Sequence, residues 1–110
     1  MNSAVIWITG FSSAGKTSVS RKVQVKLRER GYRTIYLDGD DLRAILGDYR
    51  EYEREARINL ARIYFRLCSH LSSQGYIVII SAIAMFDEII SWVVANIPNA
   101  IQVFLNVPKE

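Results

Sequence analysis

Apolar and polar positions fall into blocks along this chain, and the period of the blocks changes in a regular way. Val5-Ile6-Trp7-Ile8 is an unbroken apolar run leading into a Gly/Ser-rich turn, which predicts a strand buried on both faces. From Lys16 to Arg30, Val19, Val23 and Leu27 recur every four residues, and Gly31 follows; this is a helix with a glycine stop. Thr34 to Leu37 predicts a second strand, closed by Asp38-Gly39-Asp40. Between Tyr52 and Gln74, Leu60, Tyr64, Leu67 and Leu71 share one stripe with Ile63 beside it, which predicts the longest helix, ended by Gly75. Tyr76 to Ala82 reads as a strand, Phe86 to Asn96 as a short helix stopped before Pro98, and Ile101 to Val107 as a fourth strand. Trp7, Tyr36, Phe65 and Phe104 are expected in the core, and Trp92 either there or at a subunit contact.

Strands alternating with helices define an α/β class with a mainly parallel sheet. The 110 residues are enough for one domain. A strand has just finished at Val107-Pro108-Lys109-Glu110, and the alternation calls for a helix next. The expectation is therefore the N-terminal portion of a domain truncated at its C-terminus, against the alternative of a complete minimal fold.

Composition narrows the classes. Half of the residues are apolar and 23% charged, which is globular rather than disordered or fibrous. The apolar runs are strand-sized, far short of the ~20 residues that span a bilayer. Met1-Asn2-Ser3 carries no basic leader region. With the single cysteine, Cys68, no intrachain disulfide can form, and a reducing, cytoplasmic setting is expected. The net charge of +3 suits an anionic ligand such as a nucleotide, but also any ordinary soluble surface, and argues for no nucleic acid. Cys68 and His70 lie two apart with no further Cys or His to complete a metal site; Cys68 is expected to pack inside its helix and His70 to lie at the surface.

One motif changes the picture. Gly10-Phe11-Ser12-Ser13-Ala14-Gly15-Lys16-Thr17 matches G-x-x-x-x-G-K-[ST] without a mismatch and lies between a predicted strand and a predicted helix. The glycines let the backbone wrap closely around a phosphate, successive N–H groups form an anion nest, and the helix adds its positive amino end. Lys16 can reach the outer phosphates and the Thr17 hydroxyl can ligate Mg²⁺. A nucleoside triphosphate with Mg²⁺ is the expected ligand; the motif by itself does not separate ATP from GTP or kinase from hydrolase.

Asp38-Gly39-Asp40-Asp41 follows the second strand. In a parallel sheet the strand ends share one rim with the phosphate loop, so one carboxylate can take a proton from a hydroxyl nucleophile and another can organise the water shell of the metal. The alternative is a capping turn, since Asp and Gly also start helices. Arg43 follows Asp40 by three residues and Arg57 lies in the long helix. Arginines presented to the same cleft can clamp an anionic acceptor; the alternative is a solvated helix face, which accounts for Arg54 and Arg66, and the residues alone do not select which arginines matter.

Taken together, these segments resemble adenylylsulfate (APS) kinases. Ile6-Trp7-Ile8-Thr9-Gly10-Phe11-Ser12-Ser13-Ala14-Gly15-Lys16-Thr17 is similar to the family's W-[IL]-T-G-[LF]-S-x-[AS]-G-K-[ST] opening, and Leu37-Asp38-Gly39-Asp40-Asp41-Leu42-Arg43 to its L-D-G-D-N-[IV]-R segment. Ser72 to Val78, Ser81-Ala82-Ile83, Ile97-Pro98-Asn99 and Val103 to Pro108 fit its later strands. The resemblance implies a kinase-type P-loop NTPase, a three-layer αβα sandwich, that transfers the γ-phosphoryl group of MgATP to the ribose 3′-hydroxyl of APS. It implies that Gly10, Ser12, Ser13, Ala14, Gly15, Lys16, Thr17 and Ser18 hold the ATP phosphates, with Thr17 on the metal, and that Lys16 and Asp40 are catalytic, Asp40 beside the attacking hydroxyl. Asp38, Asp40, Arg43, Tyr52, Arg57, Ile83 and Phe86 would contact the acceptor, Tyr52 by stacking on adenine. Family members are commonly dimers, so a homodimer is implied too.

The chain departs from that pattern. Asp41 stands where Asn is usual, Leu60 where an acceptor-contacting Asn is typical, and Ala84 in the place of a serine sometimes described as phosphorylated. Ala84 cannot carry a phosphoryl group, so transfer here would be direct, which positioning and charge stabilisation permit. Glu53-Arg54-Glu55-Ala56-Arg57 is similar to a divergent branch with an E-S-R type sequence there, and the family's R-D-x-K-G-L-Y lid segment is absent. The competing expectations are a P-loop kinase with another acceptor and an inactive nucleotide-binding fragment.

Overall fold

A computed structural model describes residues 3–10, 15–46, 54–82 and 87–105. The elements run β1 (Ala4–Gly10), α1 (Lys16–Glu29), β2 (Thr34–Asp38), α2 (Gly39–Leu46), α3 (Arg54–Ser72), β3 (Ile77–Ser81), α4 (Asp87–Asn96) and β4 (Ala100–Leu105). The strands form one sheet in the order β2-β3-β1-β4, and every pairing is parallel. The α/β expectation therefore holds.

The order follows from chain geometry. The β1-to-β2 connection crosses over β3, and the β2-to-β3 connection returns in the opposite direction. Right-handed crossovers then place α1 on one face of the sheet and α3 on the other. Side chains confirm the layers, because alternate residues of a strand face opposite ways. Val5 and Trp7 of β1 join Val78 and Ile80 of β3 in one cluster with Ile58, Phe65, Cys68, Ile89 and Val93. Ile8 and Ile79, which alternate with them, are as deeply buried but lie outside that cluster, on the α1 side. At the centre of the α3 side the Trp7 and Phe65 rings meet edge to face, with centroids 4.6 Å apart.

Tyr36 and Phe104 depart from the expected core. Trp7 and Phe65 are buried, but Phe104 is 58% exposed, along with Ile101 and Val103. β4 is an edge strand paired only to β1 among the described residues, so its apolar sequence does not bury it. Tyr36 is half-buried with its hydroxyl in a polar network described below. Trp92 is half-buried against the core cluster. The long helix spans Arg54–Ser72 within the predicted range, and Tyr52 lies outside the described residues. The segment after β2, expected as a turn, contains the eight-residue helix α2.

Cys68 is fully buried on the core-facing side of α3, and its thiol is pushed up from 9.0 to about 12 by burial. A thiolate is favoured only in the unfolded chain, so this group's contribution to stability is complete below pH 9 and is lost as pH rises toward 12. Denaturant titrations at pH 7 and pH 10.5 are expected to show a stability loss that Cys68→Ala diminishes. Native protein is expected to react with a thiol reagent only through unfolding, so alkylation at the rate of free cysteine would contradict this burial.

Candidate active site

Parallel pairing brings the carboxyl ends of β1, β2 and β3 to one rim. Asp38 pairs with Ser81, and Ser81 with Ile8, so these three residues form one row across the sheet, and Gly10 lies two residues beyond it. With strands ~4.8 Å apart, the acidic turn and the strand feeding the phosphate loop are separated by the width of β3.

On the β1 side, Gly15 precedes α1 in the left-handed region, at φ 86°. A side chain there would be strained at that φ, although nothing among the described residues lies within 4 Å of its would-be Cβ. The first turn of α1 carries no acidic residue, and no described side chain caps it. Such an amino end offers its backbone N–H groups and its positive dipole to an anion. Lys16 Nζ donates to the Gly10 carbonyl at 3.1 Å, which ties the ammonium to the carboxyl end of β1. Thr17 and Ser18 are exposed on the same turn. Ser12, Ser13 and Ala14 lie outside the described residues.

On the β2 side the capping alternative applies to Asp38. Its Oδ1 accepts from the N–H groups of Asp40 at 2.8 Å and Asp41 at 3.4 Å, which makes it the N-cap of α2. Its Oδ2 accepts from the Tyr36 hydroxyl at 3.3 Å. Asp40 is directed outward, with 85% of its side chain exposed, and accepts from Arg43 Nη2 at 2.7 Å. Asp40 and Arg43 are thus brought together one turn apart on α2.

The third wall is α3. It precedes β3 and runs opposite to the strands, so its amino end is at the rim. Arg54 there donates to Glu88 at the start of α4, which holds the guanidinium above and the carboxyl below their ordinary values. Arg57, an exposed residue, lies two turns before Tyr64 and on the same helix face. Tyr64 is half-buried; burial raises its hydroxyl above the ordinary value, Arg43 opposes the rise, and Asp40 adds to it. Tyr64 is therefore within electrostatic reach of the Asp40–Arg43 pair. The expected acceptor contacts Tyr52, Ile83 and Phe86 lie outside the described residues.

Tyr36, Ser81 and Tyr64 were not singled out by sequence as site residues. Tyr36 had a legible signal: two residues before Asp38 on one strand, it shares that residue's face. Ser81 needed the strand register.

Gly39 makes this corner compact. A Cβ there would lie 3.1 Å from the Ser81 carbonyl oxygen and 3.4 Å from the Ala82 Cβ, and the Ser81 oxygen belongs to a buried central strand. Gly39→Ala is expected to lower stability by about 1–3 kcal/mol through overpacking, read as a lower denaturation midpoint at unchanged m-value. An unchanged midpoint would show that α2 is not seated on β3.

Comparison with known proteins matches this geometry to a family. The family model for adenylylsulphate kinase matches residues 2–110. The chain is 40% identical over 104 residues to the adenylyl-sulfate kinase of Rippkaea orientalis, covering 94% of this chain and 57% of that protein. It is 36% identical over 104 residues to the cytidine diphosphoramidate kinase of Campylobacter jejuni, covering 94% of this chain and 61% of that protein. The structure of the Mycobacterium tuberculosis APS kinase CysC in complex with AMPPNP and APS superposes with a TM-score of 0.85 at 30% identity, over 97% of this chain and 64% of that one. The chain thus spans about three fifths of the length of the curated relatives it matches. The phosphate loop, the acidic turn and the parallel rim that joins them are those of a P-loop kinase fold, and the chain belongs to the adenylylsulphate kinase family.

Proposed function

We propose that this chain carries the donor site and part of the acceptor site of an ATP-dependent kinase that phosphorylates the ribose 3′-hydroxyl of adenosine 5′-phosphosulfate. The observation that carries the reading is the shared rim: the phosphate-loop strand ends beside β3, and Asp40 with Arg43 stands on the other side of β3. A donor phosphate and an acceptor hydroxyl bound there lie within the span of one strand. The family match and the likeness to a structure holding AMPPNP and APS support the same choice.

In this reading Gly10 to Ser18 bind the triphosphate, with backbone N–H groups and the amino end of α1 opposing its charge. Lys16 exchanges the Gly10 carbonyl for an outer phosphate oxygen and stabilises charge as the bond to the leaving group breaks. Asp40 takes the proton of the attacking hydroxyl. Arg43 holds the Asp40 carboxylate in place and, with Arg57, opposes the charge of the acceptor. Mg²⁺, held at the Thr17 hydroxyl, would neutralise charge on the donor phosphates. The single, buried cysteine suits a cytoplasmic enzyme, and the exposed Ile101 and Phe104 suit a homodimer.

A second reading has a specific observation behind it. One relative is a cytidine diphosphoramidate kinase, and Asp41, Leu60 and Ala84 depart from the usual APS kinase residues. The same donor site would then serve a different acceptor.

The test is ADP formation by the purified chain with MgATP, alone, with APS, and with cytidine diphosphoramidate. APS-stimulated ADP release is expected, reduced about 100-fold or more in Lys16→Ala and in Asp40→Asn. Stimulation by the cytidine compound alone would establish the second reading. Retained ATP binding with no stimulation by either acceptor would leave a nucleotide-binding fragment and overturn both.

A further inference from the structure

The cap on α2 has a support of its own. Tyr36 Oη lies 2.7 Å from Ser81 Oγ and 3.3 Å from Asp38 Oδ2. A carboxylate only accepts, so the Tyr36 proton goes to Asp38 and the Ser81 proton goes to Tyr36. The result is a directed chain, Ser81 to Tyr36 to Asp38, in which each bond polarises the next. Asp38 Oδ1 accepts from the other side, from the N–H groups of Asp40 and Asp41, and the Asp40 carboxylate accepts from Arg43. Ser81 is buried at 4% exposure on a strand paired on both sides, so the chain begins at a fixed point. The Arg21 guanidinium of α1 lies 5.7 Å from the Tyr36 ring centroid, in cation–π range. Tyr36 therefore touches the helix that follows the phosphate loop as well as the base of the acidic turn.

We infer that Tyr36 is a positioning residue: with Ser81 behind it, its hydroxyl orients the Asp38 carboxylate, and through that cap it fixes the backbone that presents Asp40 on the rim. The kinetic part of this inference rests on the reading of Asp40 under Proposed function; the structural part does not. Without the hydroxyl, Asp38 keeps its contacts to α2 but is free to turn about its own side-chain bonds. A shift of the base by a fraction of an ångström lowers the rate of transfer without weakening a donor nucleotide held by another loop.

Tyr36→Phe keeps the ring and removes the donor. Ser81→Ala removes the fixed end of the chain. Tyr76→Phe is the control: it breaks a tyrosine hydrogen bond of similar length, Arg33 Nη2 to Tyr76 Oη at 2.9 Å, at the amino ends of the same strands. Two quantities are measured on the full chain, amide hydrogen exchange at Asp40 and Asp41, and steady-state kinetics with MgATP and each of the two acceptors, APS and cytidine diphosphoramidate. Exchange at both amides is expected to accelerate about tenfold in Tyr36→Phe, the equivalent of one hydrogen bond to a charged group, by less in Ser81→Ala, and not in Tyr76→Phe. kcat is expected to fall about 10- to 100-fold in Tyr36→Phe while KM for ATP stays within about twofold. Unchanged exchange at Asp40 and Asp41, or equal acceleration in the control, would overturn the inference. So would accelerated exchange with an unchanged kcat. If the chain turns over neither acceptor, exchange alone decides: acceleration confined to Tyr36→Phe and Ser81→Ala upholds the positioning role, while the functional reading fails independently.

Discussion

Parallel pairing of β2, β3 and β1 is the constraint on which the rest of this molecule depends. It sends every strand's carboxyl end to one rim, and its register places Asp38, Ser81 and Ile8 in a single row. β3 is the member that cannot be moved. All five of its residues are buried, its neighbours hold it on both sides, and Ser81 at its end meets both β2 and the acidic turn: its hydroxyl bonds Tyr36, and its carbonyl limits the space at Gly39. The acidic turn is thus located by a strand to which it is not directly joined.

The two helix starts at the rim are electrostatic opposites. α1 begins at a left-handed glycine with no acidic residue in its first turn, so its amino end is available to a phosphate. α2 begins with Asp40 and Asp41 in its first turn and the Asp38 carboxylate beneath them, so its dipole is already matched by carboxylates. One helix start is open to anionic groups; the other carries carboxylates of its own, with Arg43 paired to Asp40. Asp38 and Asp40 are two residues apart and do different work. Asp38 is committed at both oxygens to structure, and Asp40 projects from the surface.

Burial is uneven across the sheet. β3 is enclosed, whereas Ile101 and Phe104 of β4 are 51% and 58% exposed. In the register of β4, Ile101 and Val103 lie beside Ile6 and Ile8, and Phe104 beside Thr9, so both faces of the edge strand carry exposed apolar side chains. α1 packs over β1, β2 and β3, and α3 over β1 and β3. The relatives that match this chain are longer than the span it covers.

Much of this was legible in sequence because it depends on short-range rules. Unbroken apolar runs gave β1 and β3, four-residue spacing gave α1 and α3, and the phosphate loop declared itself by glycine spacing between a strand and a helix. Strand order, register and the burial of β4 were not legible, because each depends on which segments meet in space. An apolar strand reads the same whether its faces are covered or bare, so Phe104 was expected inside and is exposed. The acidic turn allowed two meanings in sequence, functional carboxylates or a cap; the fold makes Asp38 the cap and leaves Asp40 exposed beside it. Tyr36 is the plainest case. As an aromatic residue in an apolar strand it reads as core, and only a serine 45 residues away, brought alongside by parallel register, joins its hydroxyl to the Asp38 cap. Local propensity determined the elements of this protein and the glycine-spaced motif between β1 and α1; tertiary contact decided which polar groups hold one another, because hydrogen bonds between distant residues exist only after the strands have paired.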